Sequence, residues 1–421
     1  MIGRFHILTA AAIASASFCG GCSGRLAQGA LLPVAQANTE GTSRVPVLVA
    51  TKRNRSTADA GEMFGSERGE EVSYASVTVS IPPDAARKIG EVQWPTSLPG
   101  DAQQNFITVS ANYLDKQSFA AALSAAAKKT GRGKVLVFVH GFNNRFDEAV
   151  YRFAQIVHDS KAPAIPILFS WPSRGVVGLR AYQDDLESAT NSSGAVEQLL
   201  DTIGGNANVK EVTIFCHSMG CFLTLEALHS RALRAGKIGD KVKNVLLVAP
   251  DVDINLFRTQ MQQMGNPRPR FALFMSRDDG ALKLSKSIAG GVTRLGDVDP
   301  DQEPYKSDFQ REGVLVFDLT GHGGVAHSRA FEKVTSVMGM IEQRLAEGQQ
   351  MTEDGAKLEA ASQCLISAAP DRRRPRQGSR PPVPEEQAVV AISSCENRRP
   401  AACPRRPHRA RHPRLLPRNS P

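Results

Sequence analysis

Cysteine is scarce in this chain, and its placement argues against a metal site. The seven cysteines fall at 19, 22, 216, 221, 364, 395 and 403, and no paired Cys/His spacing of a metal-binding kind joins them. Cys19-Gly-Gly-Cys22 has the spacing of a redox pair but closes an apolar leader instead of sitting on a βαβ unit. The apolar run of that leader, Ile7 to Phe18, is shorter than the roughly 20 residues a spanning helix needs. No internal repeat is present, which sets aside solenoid and propeller architectures. Net basic charge is missing from the body. The segment from Pro370 to Pro421 holds 13 arginines, no lysine and four acidic residues, and so carries the whole formal charge of +9. A nucleic-acid-binding body is therefore excluded as a reading of the charge.

Three parts of the chain lie outside the expected fold. Residues 1–22 read as a signal peptide, with Gly20-Gly21-Cys22-Ser23 resembling a lipobox in which Cys22 would receive lipid. This predicts export to the cell envelope, either to the periplasm or to a membrane through the lipid. Residues 23–44 are small and polar and read as a tether. Residues 360–421 are rich in arginine and proline and without periodicity, a composition that cannot bury enough apolar surface to order itself.

From 45 to 348 the pattern is that of one α/β domain. Strands are predicted at Val45–Ala50, Val72–Ile81, Asn105–Ser110, Val135–Val139, Ile165–Phe169, Val212–Phe215, Val245–Ala249, Phe271–Met275 and Val314–Leu319. Between them fall helices at Gln117–Lys129, Asp147–Asp159, across most of Leu179–Ile203, Phe222–Arg234 and Ala281–Ile288, with a last one at Ser328–Leu345. The charged, glycine-containing stretch Thr51–Glu71 reads as a surface loop. Runs apolar on both faces, alternating with helices, imply a mostly parallel sheet covered on both sides.

The chemistry gathers at strand ends. Cys216-His217-Ser218-Met219-Gly220 follows a buried strand and opens a helix, the setting of a nucleophile elbow. The usual pattern begins with glycine; Cys216 is a small substitute there, and Cys216 and Cys221 are expected to pack as small buried thiols. His217, next to the serine on a turn, is expected to pack rather than act as base. A late strand runs into Ser276-Arg277-Asp278-Asp279, which makes Asp279 the candidate acid with Asp278 as alternative. Asp251 and Asp253, after the preceding strand, are a fallback. Each of these carboxylates has a simpler role as a helix cap or turn former. After the last strand, His322 and His327 share a glycine-rich loop; His327 is the candidate base and His322 the alternative. His140-Gly141-Phe142 after its strand suits an oxyanion loop, with the amides of Phe142 and Met219 as donors.

In this order the motifs resemble the bacterial alpha/beta hydrolases of uncharacterised function that are described as esterase- or lipase-like. The matching pieces are Val49-Ala-Thr-Lys-Arg53, Phe64-Gly-Ser-Glu-Arg-Gly69, Phe138-Val-His-Gly-Phe-Asn143 and Phe169-Ser-Trp-Pro-Ser173. They continue with Tyr182, Asp185 and Ser188-Ala189, then His217-Ser-Met-Gly220, Ala249-Pro-Asp-Val-Asp253, Asp279-Gly-Ala-Leu282 and His327-Ser328. The resemblance implies an alpha/beta-hydrolase fold with Ser218, Asp279 and His327 as triad, and says little about substrate. Trp171 and Tyr182 are candidate pocket walls, although Trp171 would serve equally as core and Tyr182 and Asp185 as a helix-surface pair. Asn143 and Asn144 would hold the oxyanion loop or cap the helix after it.

The expected activity is carboxylic ester cleavage through an acyl-enzyme, on a small ester or acyl substrate. It calls for no cofactor, metal or nucleic acid. A thioesterase, amidase or acyltransferase would use the same apparatus, and a non-catalytic envelope lipoprotein would use only the scaffold.

Overall fold

The structure, a computed structural model, describes residues 29–321 except 36 and 58–60. The chain divides into two compact units, Met1–Ala360 and Ala361–Pro421. The second unit, Cys22, the histidines His322 and His327, and the helix expected over 328–345 all lie outside the described residues.

Nine strands in the described part form one sheet: β1 (Ser43–Arg55), β2 (Phe64–Ile81), β3 (Ile107–Leu114), β4 (Lys134–Val139), β5 (Ile165–Ser170), β6 (Glu211–His217), β7 (Val242–Val248), β8 (Arg270–Met275) and β9 (Val314–Asp318). Their spatial order is β3-β2-β1-β5-β4-β6-β7-β8-β9. The β1–β2 and β2–β3 pairings are antiparallel and every other pairing is parallel. The helices are α1 (Lys116–Thr130), α2 (Phe146–Ser160), α3 (Leu179–Asn191), α4 (Ser193–Gly204), α5 (Met219–Ala235), α6 (Ile254–Met264), α7 (Gly280–Ile288) and α8 (Tyr305–Glu312).

Alternate residues of each strand feed opposite cores. On one face Val137, Ile167, Ile214 and Leu247 pack with α1, α4, α5 and α6 through Phe119, Leu199, Leu228 and Met261. On the other, Phe138, Leu168, Phe215 and Phe274 pack with α2 through Val150, Phe153 and Ile156. This two-sided burial is why the central strands read as unbroken apolar runs. The parallel register sets Val139 beside Phe169 and Cys216, and Cys216 beside Leu247. The carboxyl ends of β4, β5, β6 and β7 therefore lie level, and their loops meet.

The strands and most helices stand where the periodicity put them, with four differences. The stretch read as a surface loop at Thr51–Glu71 is mainly sheet, because β1 runs on to Arg55 and β2 starts at Phe64. Charge misled there: Arg53 is inside the molecule, 1% exposed. Within the stretch read as a tether, Ala30 and Leu31 are buried in the α2-side core. The Ala30 carbonyl accepts from the hydroxyls of Thr108 (3.1 Å) and Tyr151 (2.9 Å), which pins the segment. The helical stretch expected across most of Leu179–Ile203 is two helices divided at Ser192, whose hydroxyl donates back to the Ser188 carbonyl at 2.7 Å. Helices α6 and α8 are additional.

Candidate functional site

Ser218 stands between the last residue of β6 and the first of α5, with φ 52° and ψ −124°. A side-chain-bearing residue in this region costs about 1–3 kcal/mol and persists only where its surroundings hold it. Three contacts of its own peptide units hold it here. Its N–H donates to Val248 O (3.0 Å), and its carbonyl accepts from the amides of Cys221 (3.0 Å) and Asp251 (3.2 Å). Ser218 is 6% exposed.

The turn is possible because helix and strand approach closely at glycine. A Cβ on Gly220 would lie 2.2 Å from His140 O and 2.5 Å from Val139 O. A Cβ on Gly141 would lie 2.8 Å from His217 Nδ1 and 3.1 Å from Ser218 Cβ. The start of α5 thus rests directly on the end of β4, and the His140–Asn144 loop leans on the elbow. His217 is buried in this packing.

The expectation that Cys216 and Cys221 pack as thiols is overturned: the two are joined in a disulfide, with Cα atoms 4.8 Å apart. Both are fully buried. The residue standing in the first glycine position of the elbow is therefore covalently tied to the first turn of α5, and the ring it closes contains Ser218. Spacing alone hides such a bridge, because it depends on the sharpness of the turn.

Below the His140–Asn144 loop lies a polar network that the sequence did not reveal. Arg53, at the end of β1, donates from Nε to Ser170 Oγ (2.9 Å), from one terminal nitrogen to Gly65 O (2.9 Å) and Ser173 O (3.0 Å), and from the other to Asn144 O (2.8 Å). All four acceptors are neutral oxygens, and they belong to β2, to the end of β5 and the chain just beyond it, and to the His140–Asn144 loop. Burial lowers the Arg53 guanidinium to about 10 against the opposing pull of Asp185 and Asp147, so it remains charged at neutral pH. His140 lies next to it, with Nε2 3.0 Å from Ser170 Oγ and Nδ1 2.9 Å from Gly141 O. Burial first, and then the charge of Arg53, push this imidazole down to about 3.

Asp185, expected as half of a helix-surface pair, is instead buried. It accepts from Ser173 Oγ (2.6 Å) and from the Arg174 amide (2.8 Å), and burial raises its carboxyl above the usual range. Asn144 does hold the His140–Asn144 loop: its Nδ2 donates to Phe142 O (2.8 Å) and Gly141 O (3.3 Å), while α2 is capped by Arg145. Trp171 does not line an open pocket. It is completely buried, donating from Nε1 to His140 O (2.8 Å) with its ring stacked on the imidazole at 5.2 Å. The sequence signal for this network was the set of motifs in the resemblance, since Arg53, Ser170, Ser173 and Asp185 all fall in them.

The candidate acids differ in what occupies them. Asp279, fully buried, caps α7 by accepting from the amides of Ala281 (2.9 Å) and Leu282 (3.3 Å), both on Oδ1. Asp278 is exposed; it accepts from the Ser276 hydroxyl and, at 3.4 Å, from the Gly321 amide just past β9. Asp251 is buried, accepts from Tyr182 Oη (2.9 Å) and Ser285 Oγ (2.5 Å), and forms an ion pair with Arg294, whose Nε lies 3.2 Å away. It ties α3, α7 and the 294–297 turn to the elbow. Asp253 caps α6 through the Asn255 amide (2.8 Å). Tyr182 also sets its ring edge-on to Phe142, with centroids 5.6 Å apart. Burial, then the Asp251 charge, raise its hydroxyl well above the tyrosine range.

Ser218, the amides of Phe142 and Met219, and the turn bearing Asp278 and Asp279 thus all lie at the carboxyl ends of neighbouring parallel strands. The family described as "Alpha/beta hydrolase of unknown function (DUF900)" matches residues 115–344. No curated protein matched the chain. Among solved structures, a siderophore hydrolase from Aspergillus nidulans is 13% identical, covering 73% of this chain and 97% of its own, with a TM-score of 0.32. An esterase from Pyrobaculum calidifontis is 12% identical, covering 55% of this chain and 94% of its own, with a TM-score of 0.29. A fungal esterase from Rhizomucor miehei is 13% identical, with coverages of 65% and 78% and a TM-score of 0.27.

Proposed function

The chain belongs to the DUF900 family of alpha/beta hydrolases of unknown function, and on that premise we propose that it is a serine hydrolase cleaving carboxylic esters through Ser218. The observation that carries this reading is the elbow: a serine at φ 52°, between a parallel strand and a helix N-terminus, with the Gly141–Phe142 loop packed against it. A positive helix end beside a strained serine favours a developing oxyanion there.

In the proposed cycle His327 removes the proton of Ser218 Oγ, which attacks the ester carbonyl. The amides of Met219 and Phe142 receive the oxyanion. His327 then protonates the leaving alcohol, and a water activated by the same histidine releases the acid from the acyl-enzyme. Asp279, buried at the carboxyl end of β8 where it caps α7, orients His327. Asp278 is the second reading for the acid, favoured by its bond to the Gly321 amide one residue before His322, and it would pair with His322 as base. Asp251 suits an acid less well, because two hydroxyl donors and the Arg294 charge already hold its carboxylate. Phe142 and Tyr182 would border the acyl entrance.

The protein is also proposed to act in the cell envelope, held there by lipid on Cys22 or free in the periplasm. The buried Cys216–Cys221 disulfide supports this reading, since such bonds persist in oxidising compartments.

The test is intact mass after exposure to a fluorophosphonate, for the wild type and for Ser218→Ala. One adduct on the wild type and none on the variant is expected. A folded wild type that takes none would leave the scaffold reading in its place.

A further inference from the structure

The Gly141–Phe142 peptide carries two groups with opposite tasks. Its N–H is the proposed oxyanion donor, and its carbonyl faces the other way, because the only cis peptides in the described chain precede proline and a trans unit sets C=O and N–H antiparallel. Whatever grips the Gly141 carbonyl therefore aims the Phe142 N–H.

Two side chains grip that carbonyl, Asn144 Nδ2 at 3.3 Å and His140 Nδ1 at 2.9 Å, and the shorter contact is traceable atom by atom. A carbonyl only accepts, so the 2.9 Å contact between His140 Nδ1 and Gly141 O requires the proton on Nδ1. The imidazole is neutral, because burial and the Arg53 charge disfavour a second proton. Its Nε2 is then an acceptor, and the group 3.0 Å away, Ser170 Oγ, must donate to it. The Ser170 hydroxyl has spent its one hydrogen in that direction, and its lone pair faces Arg53 Nε, which donates at 2.9 Å. Every donor meets an acceptor along the line from Arg53 to Gly141, and reversing any member breaks its neighbour. A second end of the same guanidinium holds Asn144 O at 2.8 Å, at the far side of the loop.

We infer that Arg53, acting through Ser170 and His140, is a positioning residue for the oxyanion hole: it fixes the tautomer of His140 and thereby the direction of the Phe142 N–H. The inference rests on the hydrolase reading of Ser218. Arg53 is about 117 residues from Ser170 in sequence and touches no reacting atom. Its charge does at a distance what a water molecule would do loosely, which is to settle which way a buried hydroxyl points.

The test begins with the wild type, labelled by fluorophosphonate and assayed on p-nitrophenyl butyrate. Ser170→Ala removes the middle of the line with little change in volume. Its kcat is expected to fall ~10- to 100-fold, a fraction of or equal to the loss of one oxyanion donor, with KM unmoved. Inhibition by an aryl trifluoromethyl ketone, which forms a tetrahedral oxyanion on the serine, should weaken by the same factor. Should Ser170→Ala fail to fold, His140→Asn and His140→Leu decide: asparagine keeps an N–H near the Nδ1 position and most of kcat, and leucine does not. Unchanged kcat and ketone affinity in Ser170→Ala or in His140→Leu would overturn the inference and leave Ser218 in place as nucleophile. Equal losses in the two His140 variants would also overturn it, since packing alone would then account for both. A wild type that takes no phosphonate would remove the hydrolase reading and the inference together.

Discussion

The two halves of the proposed site are held by different physics. The elbow at Ser218 is built locally: a disulfide across five residues, a glycine where helix meets strand, and backbone hydrogen bonds to β7 and its exit loop. The His140–Asn144 loop, which leans on it, is held by a buried cation distant in sequence, whose partners come from β2, the end of β5, the chain after it and the loop itself. Steric and covalent constraints set a shape and tolerate any pH. A polar network sets hydrogen-bond direction as well, but only while its charges and tautomers stay as they are.

Removing the reacting atom gives the largest effect. Ser218→Ala is expected to lower ester turnover by about 10^4-fold or more while leaving the melting temperature equal or higher, since alanine relieves no packing and loses a hydroxyl from a strained position. Turnover measured on purified variant, free of host esterase, checks it.

The steric half of the comparison comes next. Gly220→Ala would drive a Cβ to within 2.2 Å of the His140 carbonyl, a backbone clash that no rotamer relieves. A loss of about 3 kcal/mol or more is expected, read as a lowered urea midpoint. Gly204→Ala is the control at the end of α4, where an added Cβ meets nothing within 4 Å. That change should be neutral or stabilise slightly through helix propensity. If both glycines tolerate alanine alike, the close approach of α5 to β4 is not what shapes the turn.

These two halves also differ in how far the sequence revealed them. The elbow was readable because its determinants, Val212–Phe215, Ser218 and Gly220, are contiguous. The mostly parallel sheet followed from apolar runs for the same reason, while the order of its strands did not. The network was not readable from local pattern. Arg53 sits in a charged stretch that looks like a surface loop, and only the tertiary meeting of β1, β5 and the β4 exit shows that its charge is buried. Trp171 gave the right strand end and left pocket wall and core open, and its full burial decides for core. Spacing of five residues between Cys216 and Cys221 was compatible with a bond or with two thiols, and only the tight turn between strand and helix decides it.

The covalent constraint is expected to be worth less than the steric one. Converting Cys216 and Cys221 together to alanine should cost about 2 kcal/mol, the chain-entropy value for so short a ring. Dithiothreitol should lower the wild-type midpoint by a similar amount and leave the double variant unmoved. A wild type indifferent to the reductant under unfolding conditions would show that the bond adds nothing to the elbow.

The gentlest probe of the comparison is pH, which should reach the network and pass the elbow by. His140 titrates at about 3 in the folded protein and near 6.5 in an unfolded chain. Between those values the unfolded state takes the proton first, so stability attributable to this histidine is complete above about pH 6.5 and is lost as pH falls toward 3. The slope approaches about 1.4 kcal/mol per pH unit within the window. Asp147 and Asp185, whose carboxyls are raised by burial, work in the opposite direction, because the folded state takes their protons first. Comparing wild type with His140→Asn removes their shared contribution: the variant should unfold with a shallower dependence between pH 6 and pH 4.5 and the same midpoint shift on reduction of the disulfide. Parallel pH profiles for the two proteins would mean that the imidazole is already hydrated in the folded state, and the network would then have to hold the loop by Arg53 and Asn144 alone.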